Sequence, residues 1–265
     1  MVWEDVQQIR AQAPLVLNIT NYVVMNTTAN ALLAIGASPV MAHAIDEAED
    51  MARIAQALVI NIGTLSAPWV ESMFKAGRVA HERGIGIVLD PVGCGATAYR
   101  TETSQRLVRE VRPSVIRGNA SEIRALVHSG GNTKGVDSRD DPDAVASDAM
   151  ELAQAAGCVV SVSGPLDLIT DGTRVARVAN GHALMPRVTG MGCTASAITG
   201  AFVAVNSDIF SAAANAMAVM GVTGEIAGAG AAGPGSFQLN FLDALYALDQ
   251  VQLSTRLKLT GLVAG

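Results

Sequence analysis

The stretch Arg187 to Phe202, RVTGMGCTASAITGAF, carries two glycines, Gly190 and Gly192, followed by Cys193 and Thr194. Small and apolar residues then recur at helical spacing, at Ala197, Ile198 and Ala201. The pattern predicts a tight turn that opens directly into a helix. The first backbone N–H groups of such a helix lack intrahelical partners, and with the helix dipole they form an anion site. Glycine, having no Cβ, lets a ligand come close to the backbone. Cys193 falls at the helix N-terminus, where a thiol is most easily ionised. The same residues also describe a helix start that needs glycine for packing and a cysteine that is merely small and apolar. Taken alone, a Gly-rich helix start is a weak motif.

Three further places could carry chemistry. Asp90 precedes Pro91, and a carboxylate there could hold Mg²⁺ directly or through water; Asp-Pro is also a common turn former. Asn119 and Glu122 lie three residues apart at a predicted helix start. They read either as a capping box or as a carboxylate that organises Mg²⁺ and water near a transferring phosphate. Arg117 stands just before them and can clamp phosphate oxygens in a bidentate manner, or can be a surface arginine. His43, His81, His128 and His182 show no metal-ligand spacing. Neither a GxxxxGK[ST] loop nor a GxGxxG after a first strand is present, which disfavours P-loop and Rossmann readings.

The elements that must position these residues follow from the rest of the chain. Its 265 residues are half hydrophobic and only 16% charged, enough for a large core in one domain. A net charge of -6 argues against nucleic acid as a partner. Cys94, Cys158 and Cys193 are few and scattered, as expected of reduced thiols in a cytoplasmic protein. The start MVWEDVQQIR lacks the apolar region of a signal peptide, and no apolar run reaches membrane-spanning length.

Strands are predicted over 15–19, 58–62, 85–89, 114–117 and 158–162, with 38–41 an edge strand or loop. Helices are predicted over 2–11, 26–34 with Asn26 as cap, 46–57, 68–83, 101–111, 122–127 with Asn119 as cap, and 143–156. The stretch 129–143 reads as an exposed loop. Segments 166–170 and 173–178 form a predicted hairpin about Asp171-Gly172. Two long helices, 207–227 and 236–251, follow the central one. Buried strands alternating with helices give an α/β fold with a mainly parallel central sheet flanked by helices. In such sheets ligands bind beyond the carboxyl ends of the strands. Asn21, Gly63, Thr64, Asp90, Arg117 to Glu122, Ser163 and Gly164 all fall there.

LVLNITNYVVMNTTANALLAIGASPVM, DPVGCGAT, IRGNASEI, the SVSG segment, VTGMGCTASA and GPGSF together resemble hydroxyethylthiazole kinase, of the ribokinase-like superfamily, over about Pro14 to Leu248. Other members of that superfamily carry an aspartate base at the position of Cys193. The resemblance implies a single three-layer ribokinase-like domain over 1–265. It implies ATP-dependent phosphorylation of the hydroxyl of 4-methyl-5-(2-hydroxyethyl)thiazole in thiamine salvage, with Mg²⁺, by a homotrimer with sites at subunit interfaces. It assigns Met41 and Gly190 to the thiazole, with Asn21, Val23 and Gly63 lining that pocket. Arg117 and Ser163 are assigned to ATP, Asp90 and Glu122 to Mg²⁺ and phosphate, and Cys193 to a place beside the attacking hydroxyl. Two positions depart from the family pattern, where threonine is usual: Met191 and Ser163. Another small-alcohol kinase, a cysteine hydrolase built on Cys193 and a thiazole sensor are the alternatives.

Overall fold

The computed structural model describes residues 2–128 and 142–262. Most of the predicted 129–143 loop lies outside the described residues. The chain opens with α1 (Val2–Gln12), β1 (Leu15–Ile19), α2 (Met25–Ile35), β2 (Ser38–Val40), α3 (Ala48–Ile54) and β3 (Ala57–Asn61). It continues with α4 (Ala67–Glu82), β4 (Gly86–Asp90), α5 (Ala98–Val111), β5 (Val115–Asn119), α6 (Ala120–His128) and α7 (Pro142–Ala156). Then come β6 (Val159–Ser163), β7 (Asp167–Thr170), β8 (Val175–Val178), α8 (Met191–Val205), α9 (Ile209–Ala229), α10 (Pro234–Ala247), α11 (Gln250–Arg256) and β9 (Leu259–Thr260).

These strands form one sheet in the order β2-β1-β3-β4-β5-β6-β7-β8-β9. Pairings from β2 through β6 are parallel, and those from β6 through β9 are antiparallel. Successive strand side chains point to opposite faces, and the two faces hold different cores. Val16, Val59, Val88, Val115 and Val159 pack with α1, α2, α8, α9 and α10. Leu17, Leu58, Ile60, Ile87 and Leu89 pack with α3, α4 and α5, while Ile116 and Val160 pack with α6 and α7. The predicted helix–sheet–helix layering is therefore the observed one. Full burial of a side chain such as Phe202 contributes about 1.5–3 kcal/mol, and Phe202 is completely enclosed.

Some local expectations change. Asn26 does not cap α2: Val24 takes the cap position without a side-chain bond, and Asn26 instead accepts from Asn30 one turn on. Helix α5 starts at Ala98 because Thr97 caps it by accepting from the Arg100 N–H. The hairpin turn spans 171–174, since Asp171 Oδ1 accepts from the N–H groups of Thr173 and Arg174. The final helix divides into α10 and α11 where Asp249 forms a new capping box with Gln252. The added strand β9 pairs with β8 and was not visible as a run of strand formers.

Parallel pairing gathers the carboxyl ends of β1, β3, β4, β5 and β6 along one edge. Helix α8 packs across β1, β3 and β4, and its N-terminus carries Cys193, which joins that edge by contact with Asn21 just beyond β1.

Candidate active site

Helix α8 begins at Gly190, which adopts φ 83, the left-handed region. A side chain there would be strained, and a Cβ would also meet Val24 Cγ1 at 2.6 Å. At Gly192 a Cβ would lie 2.9 Å from Arg117 Nη1. The two glycines thus let α2 and the Arg117 guanidinium come against the start of α8. The Thr194 N–H already donates to the Gly190 carbonyl, so the donors of the first turn available to a ligand are those before it.

Arg117 is only 7% exposed, and its Nε–H has no hydrogen-bond partner. Burying such a donor unsatisfied costs about 1–3 kcal/mol. A buried cation with an unmet donor, laid on a helix N-terminus, is suited to an anion with several oxygens. The surface-arginine reading of Arg117 is thereby excluded.

Arg117, Asp90, Asn119, Glu122, Ser163, Asp167, Gly190 and Cys193 line one cleft of about 760 Å³. Its far wall is apolar, with Met185, Pro186, Met217 and Met220. Ser163, the last residue of β6, donates to the Gly118 carbonyl at 3.4 Å. Met191, also on the lining, is buried and packs into the core.

Glu122 is a capping-box residue. Its Oε2 accepts from the Asn119 N–H at 2.8 Å, while Asn119 Oδ1 accepts from the Glu122 N–H at 2.9 Å. Its Oε1 accepts from the Gly93 N–H at 2.9 Å, which ties the loop after β4 to the start of α6. The capping role is therefore real, and the carboxylate nonetheless borders the cleft.

Asp90, at the end of β4, accepts at Oδ2 from Asn61 Nδ2 (2.8 Å) and Ser196 Oγ (2.7 Å). Burial pushes its carboxyl up to about 6, with Arg117 pulling the other way and Glu122 adding to the rise. Asp167 is likewise pushed up to about 6 by burial, opposed by the Gly164 N–H that it accepts and by Arg117.

Cys193 corrects the expectation of an easily ionised thiol. Burial, then the Asp90 charge, push it up to about 11, against hydrogen bonds from Asn61 and Asn21 and the pull of Arg117. Desolvation and a nearby carboxylate outweigh the helix terminus. Burial and the Asp90 charge thus favour the neutral thiol in the fold of the chain alone.

Asn21 lies directly beside it. Asn21 Nδ2 donates to Cys193 Sγ at 3.5 Å and to Asn61 Oδ1 at 2.8 Å. Gly63 N–H also donates to Asn61 Oδ1, at 2.9 Å. Of the residues expected at the thiazole, Gly190 lines the cleft, whereas Asn21, Val23, Met41 and Gly63 do not. Val23 is 66% exposed and Tyr22 65% exposed; the Tyr22 ring meets His43, in the loop after Met41, edge-on and Trp69 of α4 at a tilt.

Asn61, Ser196 and Asp167 were not picked out from the sequence. The available signal for Asn61 was a polar residue inside the apolar run LVINI. Among the described residues no group of three or more His, Cys, Asp or Glu could hold a metal ion. Mg²⁺ is commonly held by one or two carboxylates completed by water and phosphate oxygens. Asp90 and Glu122, on one cleft beside the anion cradle, fit that pattern.

A mainly parallel sheet between helix layers carries, at its carboxyl edge, a buried arginine against a helix N-terminus. The fold is shared with Staphylococcus aureus pyridoxal kinase solved in complex with AMP-PCP (TM-score 0.59, 17% identity, 80% of this chain and 88% of that chain). Residues 6–251 match the hydroxyethylthiazole kinase family. The hydroxyethylthiazole kinase of Oleidesulfovibrio alaskensis is 59% identical over 247 residues, 93% of each chain. The solved hydroxyethylthiazole kinase of Pyrococcus horikoshii OT3 superposes with a TM-score of 0.91 at 44% identity, covering 98% of both chains. The chain belongs to the hydroxyethylthiazole kinase family.

Proposed function

We propose that this chain, as a single kinase domain, transfers the terminal phosphoryl group of ATP to the primary hydroxyl of 4-methyl-5-(2-hydroxyethyl)thiazole, in thiamine salvage. The observation that carries the phosphate half of this reading is the buried Arg117 guanidinium with its unmet Nε–H, packed on Gly192 at the start of α8.

Phosphoryl transfer passes through a loose transition state and needs positioning and charge stabilisation more than covalent chemistry. The first-turn N–H groups of α8 and Arg117 would hold the phosphoryl oxygens. Ser163 and the methionine-rich wall would receive the rest of the nucleotide. Asp90 and Glu122 would hold Mg²⁺, which when bound supplies neutralisation of the phosphate charge. Cys193 and Asn21 would hold the acceptor hydroxyl in line with the phosphorus. The hydroxyl loses its proton late in a loose transition state, to an oxygen of the arriving phosphoryl group, so a neutral thiol that orients it is compatible with the reaction.

Val23, Gly63, Gly190 and Met41 are read as the thiazole side. Exposure of Tyr22 and Val23 on that side supports a pocket completed by a second copy in a homotrimer. The three free cysteines, two of them buried, are in keeping with a cytoplasmic enzyme. Helix α9 is long and apolar enough to cross a membrane, but 78% of that span is buried in the fold.

The test is ADP release from ATP and Mg²⁺ in the presence of the thiazole alcohol, run beside a hydroxymethylpyrimidine. Turnover with the thiazole alcohol alone is expected. Turnover only with the pyrimidine would move the reading to another small-alcohol kinase, and thiazole binding without ADP release would make the protein a sensor.

A further inference from the structure

We propose that Asn61 is a positioning residue that couples the acceptor side of the site to its phosphate side, by fixing the Asn21 amide and the Gly63 backbone relative to Asp90. The proposal rests on the reaction just described. Asn61 is the last residue of β3, is 1% exposed, and lies in register with Asp90 on the neighbouring strand. On its other side β3 pairs with β1, beyond which Asn21 lies. The residue therefore sits between the two elements that bring the acceptor contacts and the carboxylate.

The orientation of its amide is dictated by partners that have no choice. A backbone N–H can only donate, so the Gly63 N–H requires the Asn61 oxygen. That turns Nδ2 toward Asp90 Oδ2, at 2.8 Å. Asn21 is fixed in the same way. The Val23 N–H donates to Asn21 Oδ1 at 3.1 Å, which leaves Asn21 Nδ2 for Asn61 Oδ1 and Cys193 Sγ. One unbroken sequence of hydrogen bonds therefore runs from Val23 through Asn21 and Asn61 to Asp90, with Cys193 on its flank. Ser196, from α8, closes it by donating to the same Asp90 oxygen. Every member lies on or next to a residue assigned to one of the two substrates, and Asn61 hydrogen-bonds to Asn21 on one side and to Asp90 on the other.

Loss of the Asn61 side chain leaves the Asn21 amide, the Gly63 N–H and the Asp90 oxygen each short of a partner at once. Misplacement of an acceptor by small distances lowers turnover far more than it lowers binding of the other substrate.

The test measures Asn61→Ala for thiazole-alcohol and ADP affinity by calorimetry, turnover by ADP release, and labelling of Cys193 by iodoacetamide read by peptide mass spectrometry. Alcohol affinity is expected to fall about tenfold and turnover by about a hundredfold, with ADP affinity changed by less than about twofold. Released from Asn61, Asn21 no longer covers the thiol in one pose, and Cys193 labelling is expected to rise several-fold. In a double-mutant cycle the turnover losses of Asn61→Ala and Asn21→Ala are expected to be non-additive. Equal losses for both ligands, or additive effects with unchanged labelling, overturn the proposal in favour of a purely structural role.

If Asn61→Ala does not fold, the isosteric Asn61→Asp carries the test. It keeps the oxygen toward Asn21 and Gly63 but sets a second carboxyl against Asp90, so turnover should fall about tenfold with alcohol affinity largely kept. Wild-type turnover there overturns the coupling. A wild-type protein that fails to bind the thiazole alcohol would defeat the assigned reaction instead, and the labelling comparison would still judge Asn61.

Discussion

The two halves of the site differ in how complete they are within one chain. On the proposed phosphate side Arg117 is buried, Gly192 at the start of α8 lies against it, and Glu122 is locked by three hydrogen bonds to backbone and cap. On the proposed thiazole side Asn21 and Gly63 are fixed, but Val23 and Tyr22 stand two-thirds exposed and Met41 is half-buried. The phosphate half is built from the interior of the fold. The acceptor half is a surface, and apolar residues on it gain by being covered. On the proposed reading, charge stabilisation would belong to the single chain and acceptor binding to an assembly.

The largest expected effect comes from breaking the complete half. Arg117→Ala removes the one buried cation from the anion cradle, and turnover should fall by about a thousandfold. Thiazole-alcohol binding measured without nucleotide should stay near wild type; its parallel loss would show that the two halves are not separable.

Met41→Asp strikes the open half. Alcohol affinity should fall by about tenfold to a hundredfold and ADP affinity should hardly move, because a charge is placed on an apolar contact surface. Mixing these subunits with Cys193→Ala subunits should restore part of the activity. With a cyclic arrangement some interfaces then pair an intact Met41 with an intact Cys193. Verified subunit exchange with no recovery would place both residues in the same subunit's site.

Glu122→Gln sharpens the comparison more gently. Glutamine keeps the capping-box oxygen but turns its NH2 toward the Gly93 N–H, so stability should fall by about 1–3 kcal/mol while the Mg²⁺ titration midpoint rises several-fold. A melting temperature that drops with an unmoved Mg²⁺ curve would leave Glu122 as a cap alone.

The smallest effect concerns Asp167, held up at about 6 against an ordinary 3.8. Between those values the folded chain binds more protons than the unfolded one, so this residue's contribution makes stability fall as pH rises from about 4 to 6. In Asp167→Asn the denaturation midpoint should decline less over that window. Identical slopes would show that the carboxyl titrates normally.

Much of the frame could be read from the sequence because its strands are nearly continuous apolar runs, as strands covered on both faces must be. The capping pair Asn119 and Glu122 was equally readable, being a local pattern. Asn26 failed as a cap because α2 starts before it, at Met25, with Val24 in the cap position. The site divided along the same line. Arg117, Asp90 and Cys193 stand out by type and place at strand or helix ends. Asn61 does not, because its meaning comes from register with Asp90 and from its neighbour across β1, neither of which is written locally. The Cys193 thiol was misjudged for the same reason: its helix terminus is a local feature, while its burial and the Asp90 charge come from distant segments.

Helix α8 carries a consequence for how the enzyme fails when heated. Its first turn presents the proposed anion site, yet Ile198, Phe202 and most of its length are buried beneath β1, β3 and β4. Many sites sit on loops that fray well before the body of a protein melts. Here that turn cannot loosen without drawing out the rod at the centre of the core. Catalytic competence and secondary structure should disappear at one temperature, with no inactive but folded state between them.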